Sequence, residues 1–343
     1  MFFGGLIMRA YTTVGDGIAK LKRGGRPVPE PKDDEVLVSM RAASLNYRDL
    51  LVVNGVGRWK PPAARVPLSD GAGVVVAAGG RVSRWKVGDR VTGVFMPRWL
   101  DGELTAEKDS SPLGGAAADG VLADYVTFGE QAVVRTPDGL SDAEAATLPV
   151  AAVTAWHAVV RRSRVREGET VLIQGTGGVS LFALQFVSAL GGRPIVISSS
   201  DEKLDVARRL GAWATVNYRV FPDWDEQVLE LTRGEGVGHV IEVVGGANLN
   251  RSLKAVRLSG TISFIGLLAG MSAPVDTFQF VARNVRLHGI ETGSREMFEE
   301  MNRFIESRGL RPVMDSTFSF DEVGAALTRL ESGTHLGKIV IEF

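Results

Sequence analysis

The stretch TVLIQGTGGVSLFALQFVSAL, residues 170–190, decides the fold. Thr170–Gln174 is short, largely apolar and β-branched, and reads as a buried strand; residues 178–190 form a longer apolar run without proline and read as a helix. Between them stand Gly175, Thr176, Gly177, Gly178, Val179 and Ser180. Gly175 permits a tight turn, and Gly177 has no side chain to hold a pyrophosphate away. The helix behind them offers N–H groups without intrahelical partners and the positive end of its dipole. Ser180 stands where such turns usually carry glycine or alanine, and is still small enough for close helix–strand packing. A glycine triplet alone is a weak signal. Strand–turn–helix context makes this one a phosphate-binding turn.

Downstream the alternation continues. Residues 194–198, 213–217, 239–244, 261–267 and 285–290 are strand-like, and residues 201–210, 223–232 and 249–256 between them are helical in pattern. Continuous apolar strands separated by amphipathic helices mean a parallel sheet covered on both faces. The expectation is an α/β fold with a doubly wound, six-stranded Rossmann sheet. Upstream the texture differs: residues 8–128 read as short strands and glycine-rich turns, among them 36–42 and 72–78. Ser141 followed by Glu144 is a capping box that opens a helix over 142–160, which Pro149 should kink or divide. The tail supplies helices at 295–307 and 321–330 and a closing strand at 338–342. A chain of 343 residues exceeds the roughly 250–300 at which single cores stop growing. Two domains are therefore expected: a dinucleotide-binding domain over 131–291, set into a mainly β substrate domain made of 1–130 and 292–343.

Composition narrows the function. Hydrophobic content of 45% with 23% charged residues is the profile of a globular, water-soluble protein. A net charge of -1 gives no electrostatic footing for nucleic acid or an anionic membrane as partner. No apolar run approaches the ~20 residues of a membrane-spanning helix. The absence of cysteine excludes disulfides, Cys-ligated zinc and a thiolate nucleophile together. The four histidines, at 157, 239, 288 and 335, lack metal-ligand spacing, and His157 reads as a packed side chain. Residues 1–7 are apolar but too short for a secretory signal, with Arg9 the nearest cation; they are set aside as without function, and a cytoplasmic location is expected.

The end of the second strand selects the nucleotide. An NAD site places Asp or Glu there, about 20 residues past the first glycine, to accept from the ribose 2′-hydroxyl. Here the residues are Ser198, Ser199 and Ser200. Asp201 and Glu202 follow, but Ser199 and Glu202 read as a capping box on the next helix. Hydroxyls at 198–200 with the cation of Lys203 suit a 2′-phosphate, so NADP(H) is the expected cofactor.

Segments ASLNYRDLL (43–51), VPLSDGAGVV (66–75), WKVGDRV (85–91), LPVAAVTAWHAVV (148–160), QGTGGVSLFALQF (174–186), SSSDEK (198–203), NYR (217–219) and HLGKIVI (335–341) occur in one order. With them the chain resembles the medium-chain dehydrogenase/reductase superfamily over its length, and in particular the zinc-free, quinone-oxidoreductase-like branch. The resemblance implies a GroES-like catalytic domain beside the Rossmann domain. Zinc-dependent members carry metal ligands where this chain has Asn46, Ser69-Asp70 and Val150, and Asn, Ser and Val are not useful zinc ligands. Asn46 is then expected to face the nicotinamide, bonding its carboxamide or the substrate oxygen, with Tyr47 and Arg48 as further oxyanion donors and Asp49 orienting Arg48 or a backbone N–H. Thr154, Tyr218, Gly245, Gly246, Gly266 and Lys338 match positions beside the cofactor in relatives, although Thr154 could equally bond the helix backbone and Lys338 could be solvated.

Without a Lewis acid, an activated acceptor is the easier substrate, so the expected activity is zinc-independent, NADPH-dependent reduction of a quinone or α,β-unsaturated carbonyl. A zinc-free NADP-dependent alcohol or aldehyde dehydrogenase and a non-catalytic NADPH-binding sensor are the alternatives. A homodimer is expected through a sheet edge near residues 261–267. Residues 96–122, with Trp99, Gly114 and Gly115, are long for a connection and read as a lid or interface loop.

Overall fold

The glycine-punctuated first third of the chain folds as antiparallel sheet. In the computed structural model, which describes residues 5–343, β1 (Ile7–Thr12) and β2 (Lys22–Pro27) pair as a two-stranded antiparallel sheet. Met1–Gly4, and with them much of the stretch 1–7 set aside above, lie outside the described residues. Next come β3 (Glu35–Ser44), α1 (Tyr47–Val53), β4 (Asp70–Ala78), β5 (Arg90–Gly93), β6 (Tyr125–Gly129) and β7 (Val133–Arg135). The Ser141–Glu144 capping box forms as expected: Ser141 Oγ accepts from the Glu144 N–H at 3.1 Å, and Glu144 Oε2 accepts from the Ser141 N–H at 2.8 Å. It opens α2 (Asp142–Ala146), and Pro149 then divides the expected long helix. Wide turns over Leu148–Ala152 and His157–Arg162 flank the short α3 (Val153–Trp156).

The alternating series follows: β8 (Thr170–Gln174), α4 (Gly178–Ala189), β9 (Arg193–Ser198), α5 (Asp201–Arg209), β10 (Ala214–Asn217), α6 (Trp224–Leu231), β11 (Val237–Glu242), α7 (Asn248–Ala255), β12 (Val256–Phe264), α8 (Thr277–Arg283) and β13 (Arg286–Gly289). These six strands form one parallel sheet in the order β10-β9-β8-β11-β12-β13. The order reverses between β8 and β11, which places the phosphate-binding turn at the switch point of a doubly wound sheet. Val171, Leu172 and Ile173 of β8 have no exposed surface, as a strand covered on both faces requires. One expectation is corrected. Residues 261–264 do not border the sheet, because β12 is paired on both sides; the edge strand is β13, which exposes Leu287.

The chain then adds α9 (Arg295–Arg308), β14 (Met314–Ser319), α10 (Val323–Glu331) and β15 (Lys338–Glu342). β14 and β15 join the first-third strands in a sheet of order β14-β15-β3-β4-β5-β7, with β6 pairing the outer half of β3. Compact unit one is Met1–Val153 with Gly293–Phe343, and unit two is Thr154–Thr292. The division after Val153, rather than at 130/131, has a local cause. Helix α2 packs on β3 and β4, and Ser44 Oγ donates to the Ala146 carbonyl at 2.9 Å, so residues 131–153 belong to the mainly β unit.

Candidate active site

Unit two holds the dinucleotide turn. Gly175 has φ +72°, the left-handed conformation that favours glycine, and a side chain on Gly177 would meet no atom within 4 Å. Open space thus lies on the side-chain side of Gly177, at the start of the twelve-residue α4. Ser180, buried, donates its hydroxyl to the Gln174 carbonyl at 2.7 Å and ties the helix to the strand end. Thr176 Oγ1 lies 3.4 Å from Ser198 Oγ, which joins the turn to the end of β9, and the Tyr218 N–H donates to the Ser198 carbonyl at 3.0 Å. Thr176, Ser198, Ser199, Ser200, Lys203 and Tyr218 are therefore gathered at one corner of the sheet. The cap at this corner differs from the expected one. Ser200, not Ser199, is the N-cap of α5: its hydroxyl accepts from the Lys203 N–H at 3.4 Å and donates to Glu202. Asp201 accepts from Asn217 Nδ2 at 2.9 Å. Both acidic side chains that follow the serines are thus engaged by neighbours.

On the other side of the switch point, backbone approaches backbone. A side chain on Gly245 would stand 2.4 Å from the Gly266 carbonyl, and one on Gly266 would stand 1.6 Å from that of Val243. The loop is held by Glu242, a residue that sequence reading passed over. It is fully buried at the end of β11, and its carboxyl accepts from the N–H groups of Val244 and Gly245 at 3.0 and 2.9 Å, from Gln174 Nε2 at 2.8 Å, and from Ser252 and Asn248. A lone acid ending an apolar strand was the available signal. Thr154 is buried, and its hydroxyl has no partner among the described residues, so the bond to the backbone four residues back is not made. His157 packs as expected: Nδ1 meets the Thr292 carbonyl, and Nε2 accepts from Arg162 at 3.1 Å.

Unit one gathers a second cluster. Asn46 is the N-cap residue of α1, in a capping box with Asp49, whose carboxyl accepts from the Asn46 N–H at 2.8 Å. The Asn46 amide also meets Lys338, whose Nζ donates to Asn46 Oδ1 at 2.6 Å and to the Leu45 carbonyl at 2.5 Å. Lys338 is not solvated: it is 3% exposed, and its ammonium donates to these two groups. Asp70 Oδ2 lies 3.8 Å from that ammonium and accepts from the Val150 N–H at 3.2 Å, while Asp70 Oδ1 accepts from Ser69 Oγ at 2.8 Å. The positions matched to metal ligands in zinc-dependent relatives, 46, 69–70 and 150, thus meet here around a lysine. Burial pushes the Lys338 pKa down, and the carboxyls of Asp70 and Asp49 pull it back up. The Asn46 Nδ2 is buried without a partner among the described residues.

Beside this cluster Arg48 meets Asp49 at 3.3 Å and lies over the Phe95 ring at 4.8 Å, whereas Tyr47 is exposed. The expected tie between Asp49 and Arg48 is present. The 96–122 connection is buried at both ends, around Trp99 and over 113–115 and 120–122, and mostly exposed over 101–112. Trp99 is buried, and a side chain on Gly114 or Gly120 would collide with the Leu68 carbonyl, which holds Leu68 at φ +67° just before Ser69 and Asp70.

Two family models match the chain: the alcohol dehydrogenase GroES-like domain over residues 32–138 and the zinc-binding dehydrogenase over 178–307. A zinc-type alcohol dehydrogenase-like protein of Schizosaccharomyces pombe is 41% identical over 333 residues, covering 95% of this chain and 96% of that protein. A candidate alcohol dehydrogenase of Sinorhizobium meliloti superimposes with a TM-score of 0.92 at 42% identity, over 98% of this chain and 99% of that one. An NAD-dependent alcohol dehydrogenase gives 0.88 at 32% identity, over 98% and 100%. A 2-octenoyl-CoA carboxylase reductase, in complex with NADP and 2-octenoyl-CoA, gives 0.85 at 25% identity, over 98% and 87%.

Asp49 supplies a pH test of unit one. Burial pushes its carboxyl from the ordinary 3.8 up to about 6, against the pull of Arg48 and the Asn46 N–H. Between those values the folded chain holds a proton that the unfolded chain has released, so this group's contribution to stability falls as pH rises. Asp49→Asn cannot titrate. Wild-type stability relative to this variant should drop by roughly 3 kcal/mol between about pH 4 and 6.5 and stay level above. Urea unfolding of both proteins in half-unit steps measures it, and a constant difference across the range would refute it.

Proposed function

The chain belongs to the medium-chain dehydrogenase/reductase superfamily and is an oxidoreductase of it, and from that premise we propose that it reduces a quinone or an α,β-unsaturated carbonyl with NADPH and without zinc. One observation carries the reading: at the positions of the metal ligands stands an amide with a buried, unpartnered N–H donor, backed by an ammonium. Asp70 is the one anionic donor of the set, and Lys338 lies 3.8 Å from it, an arrangement that repels rather than collects a dication. The residues do not fit a zinc ion.

For the cofactor the residues fit well. Gly175, Thr176, Gly177, Gly178 and Val179 would hold the pyrophosphate, Ser198, Ser199, Ser200, Lys203 and Tyr218 the 2′-phosphate corner, and Thr154, Gly245 and Gly266 the nicotinamide end. Asp201 and Glu202 each accept from a neighbour, Asn217 and Ser200, and the three serines with Lys203 stand ahead of them at the strand end, which supports the phosphate there. The bound NADP relative supports it as well. Bound nicotinamide supplies the hydride. The protein's part is to receive the charge that hydride arrival leaves on the acceptor oxygen, through Asn46 Nδ2, with Tyr47 or Arg48 as further donors. An enolate or hydroquinone anion spreads that charge over several atoms, so a neutral donor suffices. A proton from water or Tyr47 then completes the reduction.

A second reading is favoured by the names of the relatives, several of which are alcohol dehydrogenases. It gives alcohol-dependent reduction of NADP⁺ or NAD⁺ that survives a chelator. Subunit pairing through the β13 edge is also proposed, since Leu287 there is 42% exposed on a strand with one unpaired side.

Three outcomes are expected. NADPH oxidation should appear with at least one class among quinones, enals and enoyl thioesters, and silence toward all three despite tight NADPH binding would overturn the reductase reading. Lys203→Ala should weaken NADPH about tenfold, by loss of a charge-assisted contact, and leave NADH affinity unchanged; equal losses for both would refute the phosphate corner. Leu287→Asp should convert a dimer to monomers in light scattering, and a wild-type protein already monomeric at high concentration would refute the pairing.

A further inference from the structure

Lys338 is a buried charge whose ammonium meets groups of the chain itself. It stands at the start of β15, delivered by a turn that only glycine permits: Gly337 has φ +71°, and a side chain on it would lie 2.2 Å from the Val313 carbonyl. Strand β15 then pairs antiparallel with the end of β3, Val340 opposite Ser44, and the Leu45 N–H donates to the Ile339 carbonyl at 3.0 Å. That register sets the Lys338 ammonium against Leu45 and Asn46. An ammonium donates and never accepts, so it can bond only the oxygen of the Asn46 amide. The amide is thereby oriented. Its Nδ2 is forced to the side away from the lysine, where it is buried and has no partner among the described residues. Drawing electron density toward Oδ1 also strengthens Nδ2–H as a donor, as bonds in a chain polarise one another.

We propose that Lys338 is the positioning residue of the active site: it orients and polarises the Asn46 amide so that Nδ2–H is presented to the substrate oxygen, with Asp70 as the counter-charge that keeps the ammonium in place. Lys338 does not touch the substrate. Its kinetic effect rests on the reductase reading given above; the amide orientation does not.

The test uses the full-length protein and reads both halves. The side-chain amide of Asn46 is assigned in ¹⁵N spectra by its loss in Asn46→Ala, and its resonance is compared between wild type and Lys338→Met. The resonance is expected to move, and the two amide protons to exchange places faster once the ammonium no longer holds Oδ1. With an accepted quinone or enal, kcat should fall about ten- to a hundredfold in Lys338→Met, the scale seen for groups that orient other ligands. The Kd for NADPH, followed by its fluorescence, should stay within about threefold, as for any group outside the cofactor site. In an Asn46→Ala background the lysine change should cost nothing further. Should Lys338→Met fail to fold because Asp70 is left unpaired, Lys338→Met with Asp70→Asn removes both charges and carries the same expectations. An unmoved amide resonance, equal losses of kcat in both backgrounds, or a tenfold weaker NADPH complex would each overturn the proposal, the last by making Lys338 a cofactor contact. If wild type turns over no acceptor at all, the reductase reading fails and the resonance alone decides the amide orientation.

Discussion

A lysine ammonium buried in a protein interior must find partners, because stripping its water costs several kcal/mol unless donors and charges are matched. Lys338 meets that demand with the Leu45 carbonyl, the Asn46 amide oxygen and the Asp70 carboxyl, groups from the end of β3 and the start of β4. The last strand of the chain is thus fastened to the two strands that enter the site. Asp70 in turn accepts from the Val150 N–H, and through it the segment after α2 is fixed to the same point. Much of the geometry of unit one follows from satisfying this one charge. The glycine at 337, the left-handed Leu68 and the glycines that grip it all serve to bring those partners into reach.

Unit two is organised by the same logic with the opposite sign. Glu242 closes β11 with a carboxyl that has no solvent, and its partners come from β8, α7 and the loop it starts. Because two of those donors are backbone N–H groups at 244 and 245, the acid shapes the loop directly. The close approach of Gly245 to Gly266 then ties this loop to the one that follows β12. Each unit therefore has buried charge at a strand end, and each uses it to hold irregular backbone where a regular ladder cannot.

Unit two was legible in the sequence because its signals are local. An apolar strand, a glycine turn and an apolar helix lie within 170–190, and each later strand announces itself over a few residues. The errors there are of small reach. Three consecutive serines can each cap a helix, and only the end of the β9 ladder makes Ser200 the one that does. The sheet edge was placed one strand early, since the sixth strand, only four residues long, covers β12. Unit one was harder. Asn46 and Lys338 are 292 positions apart, and no periodicity relates them. Resemblance named both residues and set Lys338 beside the cofactor; it is the register of β15 on β3 that sets its ammonium against Leu45 and Asn46. Glu242 had a signal, an acid at the end of an apolar run, that sequence reading did not use.

What the cluster can stabilise follows from its being neutral at the point of contact. Its charges stand one atom group back: the ammonium is on the far side of the Asn46 amide, and Asp70 is behind the ammonium. A substrate oxygen meeting Nδ2–H would feel a polarised N–H bond and no bare cation. In a site closed to water such a donor counts for more than it would in solution, but one neutral N–H offsets only part of the cost of placing a charge there, and so suffices best for oxygens whose charge is already shared with carbon. An alkoxide, with its charge on one atom, accepts a stronger bond from the same donor but loses far more solvation, and so is left less stable in the site than an enolate or a hydroquinone anion. The preference for activated acceptors in the proposed reading thus comes from the amide itself, and the lysine behind it increases the donor strength without changing that preference.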